Sequence, residues 1–221
     1  MAQIEFETSE RPAFSVIWLH GLGADGNDFV PVAEALSLPD TRFIFPHAPM
    51  MPVTLNGGYV MRAWYDIYSL DPSLGEDREG ILASCEKIQG LVELEADRGV
   101  KPDHVFLAGF SQGGAIALSA GLRHSRKLAG IIALSTYLPL RESLEPHPAN
   151  SETPVFMAHG VGDGIIPVSA GISSREKLIA LGHDVAWHAY AMEHAVCQQE
   201  ILDISTWMKR IIHRKDGSAT A

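Results

Sequence analysis

The sequence predicts an α/β domain, with a mainly parallel central sheet and helices on both faces. Three observations carry this expectation. Apolar runs of strand length recur at 14–19, 42–45, 104–110, 129–135, 154–159 and 184–190, and helical stretches separate them, which is the alternation of a wound parallel sheet. A chain of 221 residues, 46% hydrophobic and 20% charged, is long enough for one sizeable core and short for two. Finally, Gly109-Phe110-Ser111-Gln112-Gly113 lies between an apolar run and the small-residue helix pattern Gly114-Ala115-Ile116-Ala117-Leu118, which reads as a sharp strand-to-helix turn.

Taken in chain order, residues 4–8 read as an edge strand that pairs antiparallel with the first long strand. After the second run, residues 50–74 read as an irregular segment, longer than a connection needs to be and so a candidate functional loop. Its Met50, Met51, Val53, Leu55, Tyr59, Met61, Trp64 and Tyr65 must cover something, either a pocket, as a lid, or the sheet itself. Ile81, Cys85, Ile88 and Val92 recur at spacings of four, three and four, which predicts a helix over 76–97. Further helices are expected over 172–181 and 195–212, and the small, polar residues 214–221 read as a loose tail. No internal repeat and no linker rich in Pro, Gly or Ser divides the chain, so 1–221 is expected to be one domain.

A net charge of −10 argues against a nucleic-acid backbone or an anionic membrane surface as partner, since both need a basic patch, and leaves small molecules and apolar acyl groups open. Cys85 and Cys197 fall far apart in predicted helices, so buried thiols and a reducing cytoplasm are expected instead of a disulfide framework. The N-terminus lacks a signal-peptide pattern, and no apolar stretch approaches ~20 residues, so the expectation is a soluble cytoplasmic protein without stable membrane insertion.

The glycines flanking Ser111 have a mechanical reason: only glycine lets neighbouring chain pass closely enough to hold a serine at such a turn. An exposed serine at this position is a candidate nucleophile, which needs a histidine to take its proton and an acid to orient that histidine. Downstream, the strand Pro154-Val155-Phe156-Met157-Ala158 runs into His159-Gly160-Val161-Gly162-Asp163, and the last strand runs into Ala191-Met192-Glu193-His194. Asp163 and His194 thus lie past strand carboxyl ends, where open α/β sheets carry their sites. Among the ten histidines His194 is chosen by order and position. His159 precedes Asp163, His183 lies at the wrong edge of the sheet, and His188 lies within a strand and faces a helix layer. His124, His147 and His213 fall in helix ends or loops without a matching acid. Two backbone N–H donors should stabilise a tetrahedral oxyanion, one from Gln112 and one from the loop after the first long strand, for which Leu22 is chosen by position. His20 then reads as a structural hydrogen-bonding group.

The same loop, Gly21-Leu22-Gly23-Ala24-Asp25-Gly26, also matches a dinucleotide-binding fingerprint. That reading expects an acid at the end of the second strand, where this chain has Pro46-His47-Ala48-Pro49, and it leaves Ser111 unexplained.

With these residues in place, the chain resembles the phospholipase/carboxylesterase branch of the α/β-hydrolases, which includes acyl-protein thioesterases and small bacterial carboxylesterases. The resemblance covers nearly the whole chain and rests on His20 to Gly26, Pro46 to Pro49, Asn56-Gly57-Gly58-Tyr59, Arg62-Ala63-Trp64-Tyr65-Asp66-Ile67, Gly109 to Gly114, and the Asp163 and His194 loops. It implies the α/β-hydrolase fold, a triad of Ser111, Asp163 and His194, no cofactor, and hydrolysis of esters or thioesters whose acyl chain lies in an apolar groove; no metal is expected either, because no His/Asp/Glu cluster shows ligand spacing such as H-E-x-x-H. It also implies frequent dimers; the apolar residues Met50, Met51 and Leu55 would then face either the substrate or a partner subunit. Two positions depart from the family pattern: Glu193 stands where glycine usually precedes the histidine, and Gly164-Ile165-Ile166-Pro167 follows the aspartate.

The resulting expectation is attack by Ser111 on an ester or thioester carbonyl, with the acyl chain between Trp64 and the loop Ser135-Thr136-Tyr137-Leu138-Pro139. Tyr137 and Leu138 would set chain-length preference. The competing expectations are an acyl-binding or interaction protein on a hydrolase scaffold, and an acyltransferase using the same triad.

Overall fold

The computed structural model describes residues 2–69 and 75–218, with side chains to residue 215. Nine strands form two sheets among these residues. β1 (Gln3–Glu7), β2 (Phe14–Leu19), β3 (Thr41–Pro46), β6 (Val105–Phe110), β7 (Gly130–Leu134), β8 (Val155–Gly160) and β9 (Val185–Tyr190) make a seven-stranded sheet in the order β1-β3-β2-β6-β7-β8-β9. All neighbours are parallel except β1 and β3. The six long apolar runs are therefore all strands. The edge strand forms as expected, but it pairs with β3 and not with the first long strand, because β2 is already flanked on both sides by β3 and β6.

Strand pleating sends alternate side chains to opposite faces. Along β2, Ile17 and Leu19 join α2 (Arg78–Asp97) and α3 (Gln112–Arg123) on one face. Val16 and Trp18 join Phe29, Ile204 and Met208, carried by α1 (Val30–Leu36), its lead-in, and α5 (Gln198–Ser218), on the other. A third cluster seats Leu178 of α4 (Val168–Ala180) against Ile131, Val155 and Met157. All four residues that predicted α2 are buried on its inner face. That helix is capped by Asp77, whose carboxylate accepts from Gly80 N–H, and its far end brings a buried Glu95 to the amino edge of the sheet. Ser15 Oγ donates to Glu95, as do Arg42 Nη1 (2.7 Å) and Arg98 Nη1 (3.0 Å).

Segment 50–69 is more regular than its composition suggests. β4 (Met50–Val53) and β5 (Tyr59–Arg62) form an antiparallel hairpin, with Met51 opposite Met61 and a single helical turn at Thr54–Asn56 between the strands. The remainder of the expected lid, 70–74, lies outside the described residues. The expected tail is also shortened: α5 continues to Ser218, and Lys215 Nζ meets Asp103 Oδ2 at 3.1 Å. Residues 219–221 lie outside the described residues. Among the described residues no helix is long and apolar enough to cross a membrane.

The chain winds in opposite directions from β2 and β6. From β2 it crosses through α1 to β3 on one side, while from β6 it proceeds through α3 to β7, β8 and β9 on the other. The loops leaving the carboxyl ends of β2 and β6 consequently diverge and open a crevice, the position at which wound sheets bind ligands.

Candidate active site

Ser111 stands in that crevice with φ 55° and ψ −123°, a backbone conformation that costs a non-glycine residue about 1–3 kcal/mol. The surrounding structure holds it there. Its N–H donates to Leu134 O (2.8 Å), and its carbonyl accepts from Thr136 Oγ1 (2.7 Å). A Cβ on Gly109 would come within 2.3 Å of Gly113 O, and one on Gly113 within 2.3 Å of Leu19 O, so the glycines flanking the serine are required by close backbone approach.

Asp163 and His194 leave β8 and β9, which are adjacent strands with Gly160 opposite Tyr190. Their loops are joined by Val161 N–H to Tyr190 O (2.9 Å) and Gly162 N–H to Met192 O (3.0 Å). Gly160 makes this approach feasible, since a Cβ there would lie 2.3 Å from Glu193 O. His194 Nδ1 lies 2.6 Å from Asp163 Oδ2, and its Nε2 lies 3.0 Å from Ser111 Oγ. Asp163 Oδ1 accepts from the N–H groups of Ile165 and Ile166, both at 2.9 Å. Burial opposes the charged form of Asp163, yet the hydrogen bonds from His194, Ile166 and Ile165 win and lower its pKa. An ionised Asp163 fixes the proton of His194 on Nδ1, leaving Nε2 to accept from Ser111. The arrangement can therefore draw the hydroxyl proton off a strained, nearly buried serine. Phe110 packs against the imidazole, with centroids 4.7 Å apart.

His159, excluded as the base by its position, holds the aspartate loop. It is buried, its Nε2–H donates to Ile166 O (2.9 Å), and Asp163 Oδ2 is 3.4 Å away. Burial lowers its pKa, keeping the ring neutral. His188 stacks on Phe156 and meets Asp203 of α5 at 3.6 Å, so it faces a helix as expected.

Leu22 lies on the loop after β2, where a Cβ on the preceding Gly21 would be 3.6 Å from Ser111 Cβ. Gln112 opens α3, so its N–H is one of those that a helix leaves without an internal acceptor. Of the two residues chosen from the sequence, Gln112 thus adjoins Ser111 in the chain, and Leu22 follows a glycine that adjoins it in space. His20 is structural: Nε2 accepts from Ala48 N–H (3.0 Å), so Nδ1–H donates to Gly21 O (2.7 Å), and burial lowers its pKa. At the end of β3, His47 Nδ1 accepts from Gly26 N–H, filling with imidazole the place where a dinucleotide site would need an acid.

The acyl-site residues fare differently. Trp64 and Leu138 are only 2% and 3% exposed and belong to core clusters. Tyr137 keeps partial exposure, but its hydroxyl meets that of Tyr65 at 2.8 Å, so the two segments expected to enclose an acyl chain are joined directly. An open cleft of about 280 Å³ lies instead beside the loop after β2, lined by Gly23, Ala24, Met50, Tyr59, Met61 and Arg62 among others. Ser111 does not line it. No sequence pattern signals the side-chain role of Gln112, whose Oε1 accepts from Trp64 N–H (2.9 Å) while Nε2–H donates to Tyr65 O (2.7 Å).

A wound sheet with a strained serine after its central strand, and a histidine and an aspartate supplied by the last two strands, defines an α/β-hydrolase. The sequence model of the phospholipase/carboxylesterase family matches residues 2–212. The chain is 36% identical to acyl-protein thioesterase 1 of Gibberella zeae, over 98% of each chain. It is 40% identical to acyl-protein thioesterase 1 of Neurospora crassa, over 86% of this chain and 84% of that one. The crystal structure of Zea mays acyl-protein thioesterase 2 superposes with a TM-score of 0.85 at 26% identity, covering 95% and 98% of the two chains. The chain belongs to the phospholipase/carboxylesterase family and is a hydrolase of the serine type.

Proposed function

We propose that the protein cleaves carboxylic esters and thioesters through an acyl-enzyme on Ser111. His194 takes the hydroxyl proton as Ser111 attacks the carbonyl, and Asp163 orients the imidazole and stabilises the imidazolium that forms. The N–H groups of Leu22 and Gln112 hold the oxyanion. His194 returns the proton to the departing alcohol or thiol, then activates water to release the acyl group and restore the serine. The observation that carries this reading is the continuous relay from Asp163 through His194 to Ser111, at 2.6 and 3.0 Å, ending on a backbone-strained serine. Thioesters enter because relatives covering nearly the whole chain are named acyl-protein thioesterases.

The test is steady-state hydrolysis of p-nitrophenyl esters and acyl thioesters of increasing acyl length, with Ser111→Ala alongside. Loss of on the order of 10³-fold or more in kcat is expected in the variant. A variant as active as the parent would remove Ser111 from the mechanism, and acyl transfer to an added alcohol in preference to water would identify the acyltransferase alternative.

A further inference from the structure

The two oxyanion donors arise from loops on different strands, yet the short segment 62–65 is bonded to both loops. Toward Leu22, Gly23 N–H donates to Arg62 O (2.9 Å), and the Trp64 indole N–H donates to His20 O (2.8 Å), so the loop is held on either side of Leu22. Toward Gln112, the contact is the side-chain amide, which bridges Trp64 N–H and Tyr65 O. The segment is itself anchored, with Ser84 Oγ of α2 donating to Trp64 O, Asp66 N–H donating to Asp77 Oδ2 (2.8 Å), and the Tyr65 and Tyr137 hydroxyls in contact.

We propose that residues 62–65 are a spacer fixing the separation of the two oxyanion donors, with the Gln112 side chain and the Trp64 indole as the positioning groups that clamp it. This rests on the role given to Ser111, Leu22 and Gln112 above. The chemistry favours an amide at position 112. Its acceptor and donor match a backbone N–H and a backbone carbonyl, whereas an ionised Glu offers no donor, and Met offers no donor and only a weakly accepting sulfur. Gln112 therefore contributes twice, a backbone N–H toward the oxyanion and a side chain that sets where the opposite donor stands. Oxyanion donors act only when aimed at the tetrahedral oxygen, so a spacer that slackens costs transition-state stabilisation and leaves ground-state binding alone.

The deciding experiment uses Gln112→Met, similar in volume, with no donor for Tyr65 O and only a weakly accepting sulfur for Trp64 N–H, and Trp64→Phe, which removes the indole N–H. For each, kcat and KM are measured on a p-nitrophenyl ester, together with inhibition by an alkyl trifluoromethyl ketone, whose serine adduct places an oxyanion between the donors. Gln112→Met is expected to lose about 10- to 100-fold in kcat with KM within about twofold, and to lose ketone affinity by the same factor as kcat/KM. Trp64→Phe should move the same quantities together, by about three- to tenfold. Parental kcat and ketone affinity in folded Gln112→Met would overturn the proposal, as would a change confined to KM. Should that variant fail to fold, Trp64→Phe decides alone by the same criteria. A parent protein showing no Ser111-dependent hydrolysis would overturn the reading of Ser111 itself, a result distinct from either variant matching an active parent.

Discussion

Asp163 and His194 meet at 2.6 Å because two tight turns from neighbouring strands are bonded to each other by their backbones. The second oxygen of Asp163 is engaged by Ile165 and Ile166 N–H groups, which fixes how an amide would sit in its place. In Asp163→Asn the amide oxygen keeps those two bonds and the NH2 group turns toward His194. The histidine must then carry its proton on Nε2, where it cannot accept from Ser111. Loss of about 10⁴-fold in kcat on a p-nitrophenyl ester is expected with the fold retained; a loss below tenfold would show that Asp163 does not set the tautomer.

Gly109→Ala forces a Cβ to within 2.3 Å of Gly113 O, which is backbone and cannot step aside as a flexible side chain would. Destabilisation of about 1–3 kcal/mol or more is expected, with kcat falling further than stability because the displaced turn carries Ser111. Urea titration and kcat measured under folding conditions separate the two losses.

Glu95→Ala should cost about 3 kcal/mol. Glu95 is buried and answers Arg42, itself almost buried, and removal of one member leaves the guanidinium with Glu7 alone. The network lies at the amino edge of the sheet, away from Ser111, so kcat of the folded variant should match the parent. Thermal unfolding and kinetics together check this.

Glu200 is fully buried near the start of α5, and burial pushes its carboxyl up to about 8, against an ordinary 4.5 in the unfolded chain. Between these values the folded protein holds a proton that the unfolded chain has released, so this group's contribution to stability falls as pH rises from about 4.5 to about 8. Glu200→Gln keeps an oxygen for Cys197 N–H and abolishes the titration. The variant's Tm should exceed the parent's at pH 8 and converge with it near pH 5. A constant difference across that range would show that Glu200 does not titrate there.

The strands were legible because both faces of the sheet are covered, so β2, β6 and β8 are apolar at nearly every position and read as unbroken runs. That Ser111, Asp163 and His194 come together was legible because each follows such a run; order set His159 aside, and position the other histidines considered. The partner of β1 was not legible, since which strand still has a free edge is decided by the assembled sheet. Trp64 misled for a related reason. An aromatic residue in a long apolar loop looks like pocket lining, but its indole N–H finds an acceptor in the backbone of His20, inside the protein. Gln112 was read only for its backbone, because nothing in its neighbours along the chain reveals that Trp64 and Tyr65 fold over it.

Ser111 and the imidazole beside it are separated by 83 positions in the chain, and strands β7, β8 and β9 are laid down between them in sequence. During synthesis the serine therefore emerges from the ribosome well ahead of the imidazole and the carboxylate that meet it in the fold. On the role proposed for Ser111 above, reactivity would arrive only when the far edge of the sheet docks, so a serine-directed fluorophosphonate would label nascent chains only after His194, which follows β9, has left the exit tunnel. The onset of labelling would then serve as a clock for the completion of folding.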